Sequence, residues 1–224
     1  MIEVRGITKK YAIDSQILKA VDNVSFSAKK GEMISIIGHS GSGKTTLLSL
    51  IGGLTRPDSG QVLIDDRDIW TMDDDSLSEF RNRKISFIYQ FSSLIPTLTA
   101  IENIMLPTAF GNYSEDIEGY AKELLDVVGL KDKMGAYPSH LSGGQQRRIA
   151  IARAFINRPE IVLADEPTGD LDEETETEVL SLFSRINREN STTFIIVTHN
   201  KEIASRAGKQ LRMSNGIMSD ILEP

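Results

Sequence analysis

The sequence predicts an α/β fold: a mainly parallel sheet flanked by helices, with an antiparallel β layer beside it and a helical insertion. Three observations predict it. Residues 33–37, 85–89, 161–164 and 193–198 form short, nearly continuous apolar runs, as suits strands buried on both faces. Helical patterns lie between these runs, and strands alternating with helices build a parallel core. A glycine-rich loop, residues 38–43, joins the first run to a helix.

The elements follow in order. Residues 2–30 and 60–70 alternate apolar and polar side chains and read as antiparallel strands beside the main sheet. Residues 91–157 hold no convincing strand and read as helical. Within them Ile117, Ala121, Leu124 and Val128 recur at helical spacing, with Ser114 as candidate N-cap and Gly129 at the end. A second helix runs from Asp172, with Glu173, Glu174 and Glu176 in its first turn and Val179, Leu182, Phe183 and Ile186 on its apolar face. A short terminal strand and turn span 211–216. The expected organisation is one domain, 1–224. It comprises a β subdomain (about 1–30 and 60–70), an α/β core (31–59, 71–90 and 158–224) and a helical subdomain (91–157).

Composition narrows the function. The 224 residues carry 25 Lys+Arg against 32 Asp+Glu, a net charge of −7, with 40% hydrophobic and 25% charged residues. Those are ordinary globular values. There is no cysteine, which excludes disulfide scaffolds, zinc–cysteine sites and thiol chemistry. Three histidines, His39, His140 and His199, are too few for a histidine-rich metal cluster. No apolar stretch approaches the ~18 residues of a membrane span, and the first residues lack the apolar core of a secretory signal. The acidic balance argues against nucleic acid as the main ligand. A soluble, cytoplasmic protein is the expectation.

The chemistry begins at Gly38-His39-Ser40-Gly41-Ser42-Gly43-Lys44-Thr45. It matches G-x-x-x-x-G-K-[ST] in the context that motif requires, between a strand and a helix. Its glycines let successive N–H groups turn inward on an anion, and the helix start points its positive end at phosphate. Lys44 supplies charge to the β- and γ-phosphates, and the Thr45 hydroxyl ligates Mg²⁺. Thr46 follows in the same helix. Three further strand ends converge on the place where open α/β sheets bind ligands. After 161–164 come Asp165, a Mg²⁺ ligand, and Glu166, which orients or deprotonates the attacking water. After 193–198 comes His199, a hydrogen-bond donor to the γ-phosphate. After 85–89 comes Gln90, whose amide oxygen serves Mg²⁺ or the water.

A second anion site lies about a hundred residues away. Ser142 is a good N-cap, Gly143 and Gly144 leave N–H groups open, and Gln145 follows in a helix running to about Phe155. One nucleotide has one γ-phosphate, so two such ends pose a problem. A symmetric dimer solves it: each chain binds ATP on its phosphate loop and the partner's Ser142-Gly143-Gly144 closes over it.

Together these residues resemble the ATP-binding cassette (ABC) family, over about residues 2–218. The loop corresponds to Walker A, Leu141-Ser142-Gly143-Gly144-Gln145 to the family signature, residues 161–166 to Walker B with its glutamate, Gln90 to the Q-loop, residues 168–172 to the D-loop and His199 to the switch histidine. Tyr11 sits where the family stacks an aromatic on adenine. The resemblance implies a P-loop NTPase core, ATP and Mg²⁺ as cofactors, and ATP hydrolysis by a nucleotide-sandwiched homodimer. It also implies a peripheral position on the cytoplasmic face of the membrane, where ATP hydrolysis drives a separate permease contacted through residues 91–103.

Gly52-Gly53-Leu54, Arg56-Pro57-Asp58-Ser59-Gly60 and residues 94–103 and 164–169 are similar to the lipoprotein-release and macrolide-export branch. Export or mechanotransmission of lipoprotein, macrolide or antimicrobial peptide type is therefore implied. Four positions depart from the usual pattern: His39 stands for Pro, Thr45 for Ser, Asp170 for a small residue and Asn200 for Asp. The alternatives are a non-transport cassette clamping nucleic acid or the ribosome, and a nucleotide sensor without hydrolysis.

Overall fold

The computed structural model describes residues 1–13, 16–111, 113, 116–169 and 171–220. Its elements, in chain order, are β1 (Ile2–Ile13), β2 (Gln16–Ala28), β3 (Met33–Ile37), α1 (Lys44–Ile51), β4 (Ser59–Ile64), β5 (Arg67–Asp68), α2 (Asp74–Lys84), β6 (Ile85–Ile88) and α3 (Ala100–Met105). They continue with α4 (Ile117–Val127), α5 (Gly143–Phe155), β7 (Ile161–Asp165), α6 (Glu173–Asn190), β8 (Thr193–Thr198), α7 (Lys201–Ser205), β9 (Lys209–Ser214) and β10 (Ile217–Asp220).

Two sheets result. One has the order β2-β1-β4-β5, paired antiparallel, and is the predicted β layer. The other has the order β10-β9-β3-β8-β7-β6. Its β9, β3, β8, β7 and β6 pair in parallel, and β10 closes the edge as an antiparallel hairpin with β9.

The apolar runs are continuous because alternate side chains enter two different cores. In β7, Ile161 and Leu163 pack with the β layer and α1, whereas Val162 and Ala164 pack with the helices. In β8, Ile195 and Val197 take the first side and Phe194 and Ile196 the second. Phe155, Phe183 and Phe194 meet in the second core with ring centroids 5.3–6.3 Å apart.

The helix ends follow their capping chemistry. Asp172 caps α6 rather than opening it, its carboxylate accepting from the Thr175 N–H at 2.9 Å. The candidate cap Ser114 lies outside the described residues. Asp116 caps α4 instead, accepting from Gly119 N–H at 2.9 Å. That helix closes through Gly129 in the left-handed region, φ 67°, where glycine carries no Cβ penalty.

Two strand boundaries shift. The run 85–89 ends at Ile88, because the Tyr89 carbonyl accepts from Arg147. The run 161–164 extends to Asp165, which pairs with Val197. Two helices were not predicted, α2 and the short α7. The terminal strand expected at 211–216 is one arm of the β9–β10 hairpin, turning at Asn215 and Gly216.

Candidate nucleotide site

Register places the functional side chains. Ile37 pairs with Thr198, Asp165 with Val197, and Ile88 with Ala164. The C-terminal ends of β3, β8, β7 and β6 therefore fall along one edge in that order. The phosphate loop follows β3, His199 follows β8, Asp165 and Glu166 end β7, and Gln90 comes just after β6. A cleft of ≈ 810 Å³ opens there, with Tyr11, Lys44, Thr45, Gln90, Asp165, Glu166 and His199 on its walls. Ser40, Gly41, Ser42, Gly43 and Thr46 also line it.

The phosphate loop is tightly built. Gly43 sits at φ 102°, and a Cβ there would lie 2.0 Å from the carbonyl oxygen of Ala20 on β2. A Cβ on Gly38 would lie 2.3 Å from the Met213 carbonyl oxygen on β9. Both glycines are therefore required by close backbone approach. The Gly216 N–H donates to the Ser42 carbonyl at 3.0 Å, and the Asp22 N–H donates to the Gly216 carbonyl at 2.8 Å. Lys44 is 8% exposed, and its ammonium donates to the carbonyls of Gly38 at 2.8 Å and His39 at 3.1 Å. The His39 ring lies beside the Ser40 carbonyl at 2.9 Å and is not on the cleft wall.

The Thr45 hydroxyl donates to Asp165 Oδ2 at 2.7 Å. Burial pushes the Asp165 carboxyl above the usual aspartate range, opposed by the Thr45 hydrogen bond and reinforced by the nearby Glu166 charge. Glu166 stands at φ 45°, an uncommon conformation for a side chain of its size. Its N–H donates to the Val197 carbonyl at 2.9 Å. Its carboxylate is held twice: the buried Thr198 hydroxyl donates to Oε2 at 2.9 Å, and His199 Nδ1 lies 2.9 Å from Oε1. Glu166 is largely buried while His199 projects into solvent.

Those residues meet as the sequence predicts, and the second glycine motif does not join them. Ser142, Gly143, Gly144 and Gln145 are absent from the cleft wall. Ser142 and Gln145 form a complete capping box: the Gln145 N–H donates to Ser142 Oγ at 3.3 Å and the Ser142 N–H to Gln145 Oε1 at 2.9 Å. A Cβ on Gly143 would meet nothing within 4 Å, and one on Gly144 only Leu171 at 3.8 Å. Asp170, expected at a dimer contact, lies outside the described residues.

Sequence reasoning missed Leu18, Lys19, Ala20, Asn215 and Gly216, which also line the cleft. It missed Arg147 as well, whose guanidinium donates to the carbonyls of Tyr89, Glu166 and Pro167. The Asn215-Gly216 pair, a common turn signal, was the available clue to the hairpin. Nothing local pointed to the Arg147 contacts.

The oxygen donors suit a hard cation. The Asp165 carboxylate, the Thr45 hydroxyl and the Gln90 amide all line the cleft, and Mg²⁺ characteristically takes one or two carboxylates plus phosphate oxygens. Among the described residues no group of three or more His, Cys, Asp or Glu is arranged to hold a metal alone. No helix among them is long and apolar enough to cross a membrane.

Known proteins bear on this geometry. The family model described as ABC transporter matches residues 21–169. The lipoprotein-releasing system ATP-binding protein LolD of Cytophaga hutchinsonii is 45% identical over 203 residues, 90% of this chain and 91% of the relative. The protein of the same name from Porphyromonas gingivalis is 43% identical over 219 residues, 97% of this chain and 98% of the relative. Among solved structures, the ATP-binding cassette MJ0796, in a dimeric post-hydrolysis state bound to ADP and Pi, superposes with a TM-score of 0.91. It is 38% identical and the match covers 100% of both chains. The phosphate loop with its lysine, the three strand ends that meet it at one cleft and these likenesses lead to one conclusion: the chain is an ATP-hydrolysing cassette and belongs to the ABC transporter family.

Proposed function

We propose that the chain is the ATPase subunit of a lipoprotein-releasing type of ABC transporter, peripheral to the cytoplasmic face of the membrane. It works as a homodimer on a separate permease. The observation that carries this reading is the separation of its two phosphate-competent ends. The phosphate loop and the hydrolytic strand ends share one cleft, whereas the signature N-terminus, fully capped and open in front of Gly143, stands apart from it. A second copy presenting that end across the cleft completes each site. The dimeric cassette with ADP and Pi supports this arrangement.

In the proposed sequence ATP displaces the internal bonds of Lys44, whose ammonium moves from the Gly38 and His39 carbonyls to phosphate. Tyr11, 39% exposed at the cleft edge, stacks on the adenine. Ser40 to Thr46 wrap the phosphates with N–H groups. Thr45, Asp165 and Gln90 would hold Mg²⁺, which would neutralise charge on the phosphate oxygens. Glu166 polarises the attacking water, and His199 leaves the Glu166 carboxylate to hold the γ-phosphate. The partner's Ser142, Gly143, Gly144 and Gln145 close the site, and loss of the bridging γ-phosphate loosens the dimer.

We place the permease contact at a second cleft, of ≈ 890 Å³, lined by Leu54, Arg81, Asn82, Phe87 and Phe110 among others. Residues 91–103 do not line it. Just before them, Tyr89 stacks its ring on the cleft's Phe87 at 5.5 Å, and Phe91 is 72% exposed. The proposed division into β, α/β and helical subdomains is supported by two apolar cores that meet on the central sheet, one shared with the β layer and one with the helices.

Glu166→Gln tests the reading. Turnover is expected to fall by about 10²–10⁴, with ATP-dependent dimers accumulating in light scattering. Full turnover removes Glu166 from catalysis, and a monomer under saturating ATP, permease present, removes the sandwich.

A further inference from the structure

The helix α5 does more than present the signature. Arg147, on its second turn, is 4% exposed and buries its guanidinium against the ends of two strands. Nε donates to the Pro167 carbonyl at 2.8 Å, Nη2 to the Glu166 carbonyl and Nη1 to the Tyr89 carbonyl. Farther along the same helix Arg153 donates to the carbonyls of Ser92 at 2.8 Å and Ser93 at 2.9 Å. Immediately before Arg147 on the helix, Gln146 accepts from the Ser92 hydroxyl at 3.4 Å through its amide oxygen. Gln90 therefore hangs on a stretch of chain gripped by α5 before it, at Tyr89, and after it, at Ser92 and Ser93. Glu166 is gripped by the same helix at its own carbonyl and at the next one.

We infer that Arg147 and Arg153 are positioning residues, making the location of the signature helix and the placement of Gln90 and Glu166 a single mechanical variable. A planar guanidinium with a fixed fork of donors can hold three carbonyls in one geometry, which a flexible ammonium cannot. Movement of α5 as the signature engages a partner's nucleotide then carries the Tyr89, Glu166 and Pro167 carbonyls with it. Neither arginine touches the reacting atoms in this arrangement. The inference rests on the proposed roles of Gln90 and Glu166.

A purely structural arginine would satisfy the same carbonyls, and its loss would lower stability and ATP affinity together. A positioning arginine separates the two. In the full-length protein, Arg147→Met is expected to reduce kcat about tenfold or more, as loss of a supporting contact commonly does, while the Kd for ATP stays within about twofold. Arg147→Lys, which keeps the charge but not the fork, should fall between Met and the parent. Arg153→Met should raise the Mg²⁺ concentration for half-maximal turnover about threefold or more at unchanged ATP affinity.

Should Arg147→Met fail to fold, the kcat against Kd comparison in Arg147→Lys carries the test. The inference is overturned by kcat within about twofold of the parent in the folded Arg147 variant, by proportional loss of kcat and ATP affinity, or by an unchanged Mg²⁺ requirement in Arg153→Met. Glu166→Gln measured in parallel separates the failures. If it still turns over, the site reading itself is lost. If it is inactive while Arg147→Met is normal, only the positioning role is lost.

Discussion

The phosphate loop and the signature end are both glycine-rich helix starts able to bind an anion, yet the chain treats them in opposite ways. In the loop, Gly38 and Gly43 have backbone oxygens of β9 and β2 at 2.3 Å and 2.0 Å from where a Cβ would stand. The loop's lysine is buried against its own carbonyls. At the signature, Gly143 faces open space, and the Ser142–Gln145 box caps its helix while leaving the Gly143 and Gly144 N–H groups out of the box. The loop's glycines are thus demanded by this fold. The fold makes no demand for glycine at position 143, which fits the proposed role of that end in meeting a second copy. That contrast turns a sequence pattern into a statement about assembly.

The sharpest way to break the contrast is Gly143→Ala. In the isolated subunit the new methyl meets nothing, so stability should change by no more than about 1 kcal/mol, and ATP binding to the phosphate loop should persist. In the proposed closed dimer the same methyl would stand between a helix N-terminus and the partner's phosphates. Turnover should drop on the order of a hundredfold, the scale of losing a preorganised donor at developing charge. A variant that melts early would assign this glycine to the fold. One that turns over normally would remove the signature from the site.

Gly43→Ala is the converse, and its main effect is on folding. Overpacking against Ala20 and strain at φ 102° together should cost about 2–5 kcal/mol. That lowers the melting temperature by roughly 5–15 °C, read by calorimetry without nucleotide. An unchanged melting temperature would show that β2 yields easily, and the two ends would then differ less than their geometry indicates.

What could be read from residues alone follows the same division between local and distant causes. The phosphate loop was legible because turn, charge and hydroxyl are fixed within eight consecutive residues. The buried strands were legible because both faces of β7 and β8 enter apolar cores, leaving continuous runs. Helix α2 was not, since Leu77 is its one buried residue and it carries no apolar stripe, although Asp73 caps it and Arg81, Arg83 and Lys84 end it as the helix dipole favours. The hairpin turn at Gly216 that braces Ser42, and the three carbonyls taken by Arg147, depend on segments brought together only by the sheet order. Periodicity carries no record of such contacts. The end of β6 at Ile88 is one consequence, because Tyr89 leaves the ladder for an arginine some sixty residues away.

The smallest effect expected concerns the Asp165 end of the cleft, and it sharpens the contrast from the other side. Asp165 has its folded pKa raised above the unfolded value, chiefly by burial. A raised pKa means that the folded chain binds the proton more tightly than the unfolded one. The group's stability contribution is then fullest below the unfolded value, about 3.9, and is lost as pH rises through the elevated folded value. Asp165→Asn removes the charge and keeps an oxygen that accepts from Thr45. Without nucleotide or Mg²⁺ it should therefore melt slightly higher than the parent at neutral pH, with the difference shrinking as pH falls toward 4. Melting curves across that range check the sign. A variant less stable at neutral pH would mean that the carboxylate is held for the fold. The expected order, more stable but inactive, would mark Asp165 as held ready for a cation at some expense to the empty protein.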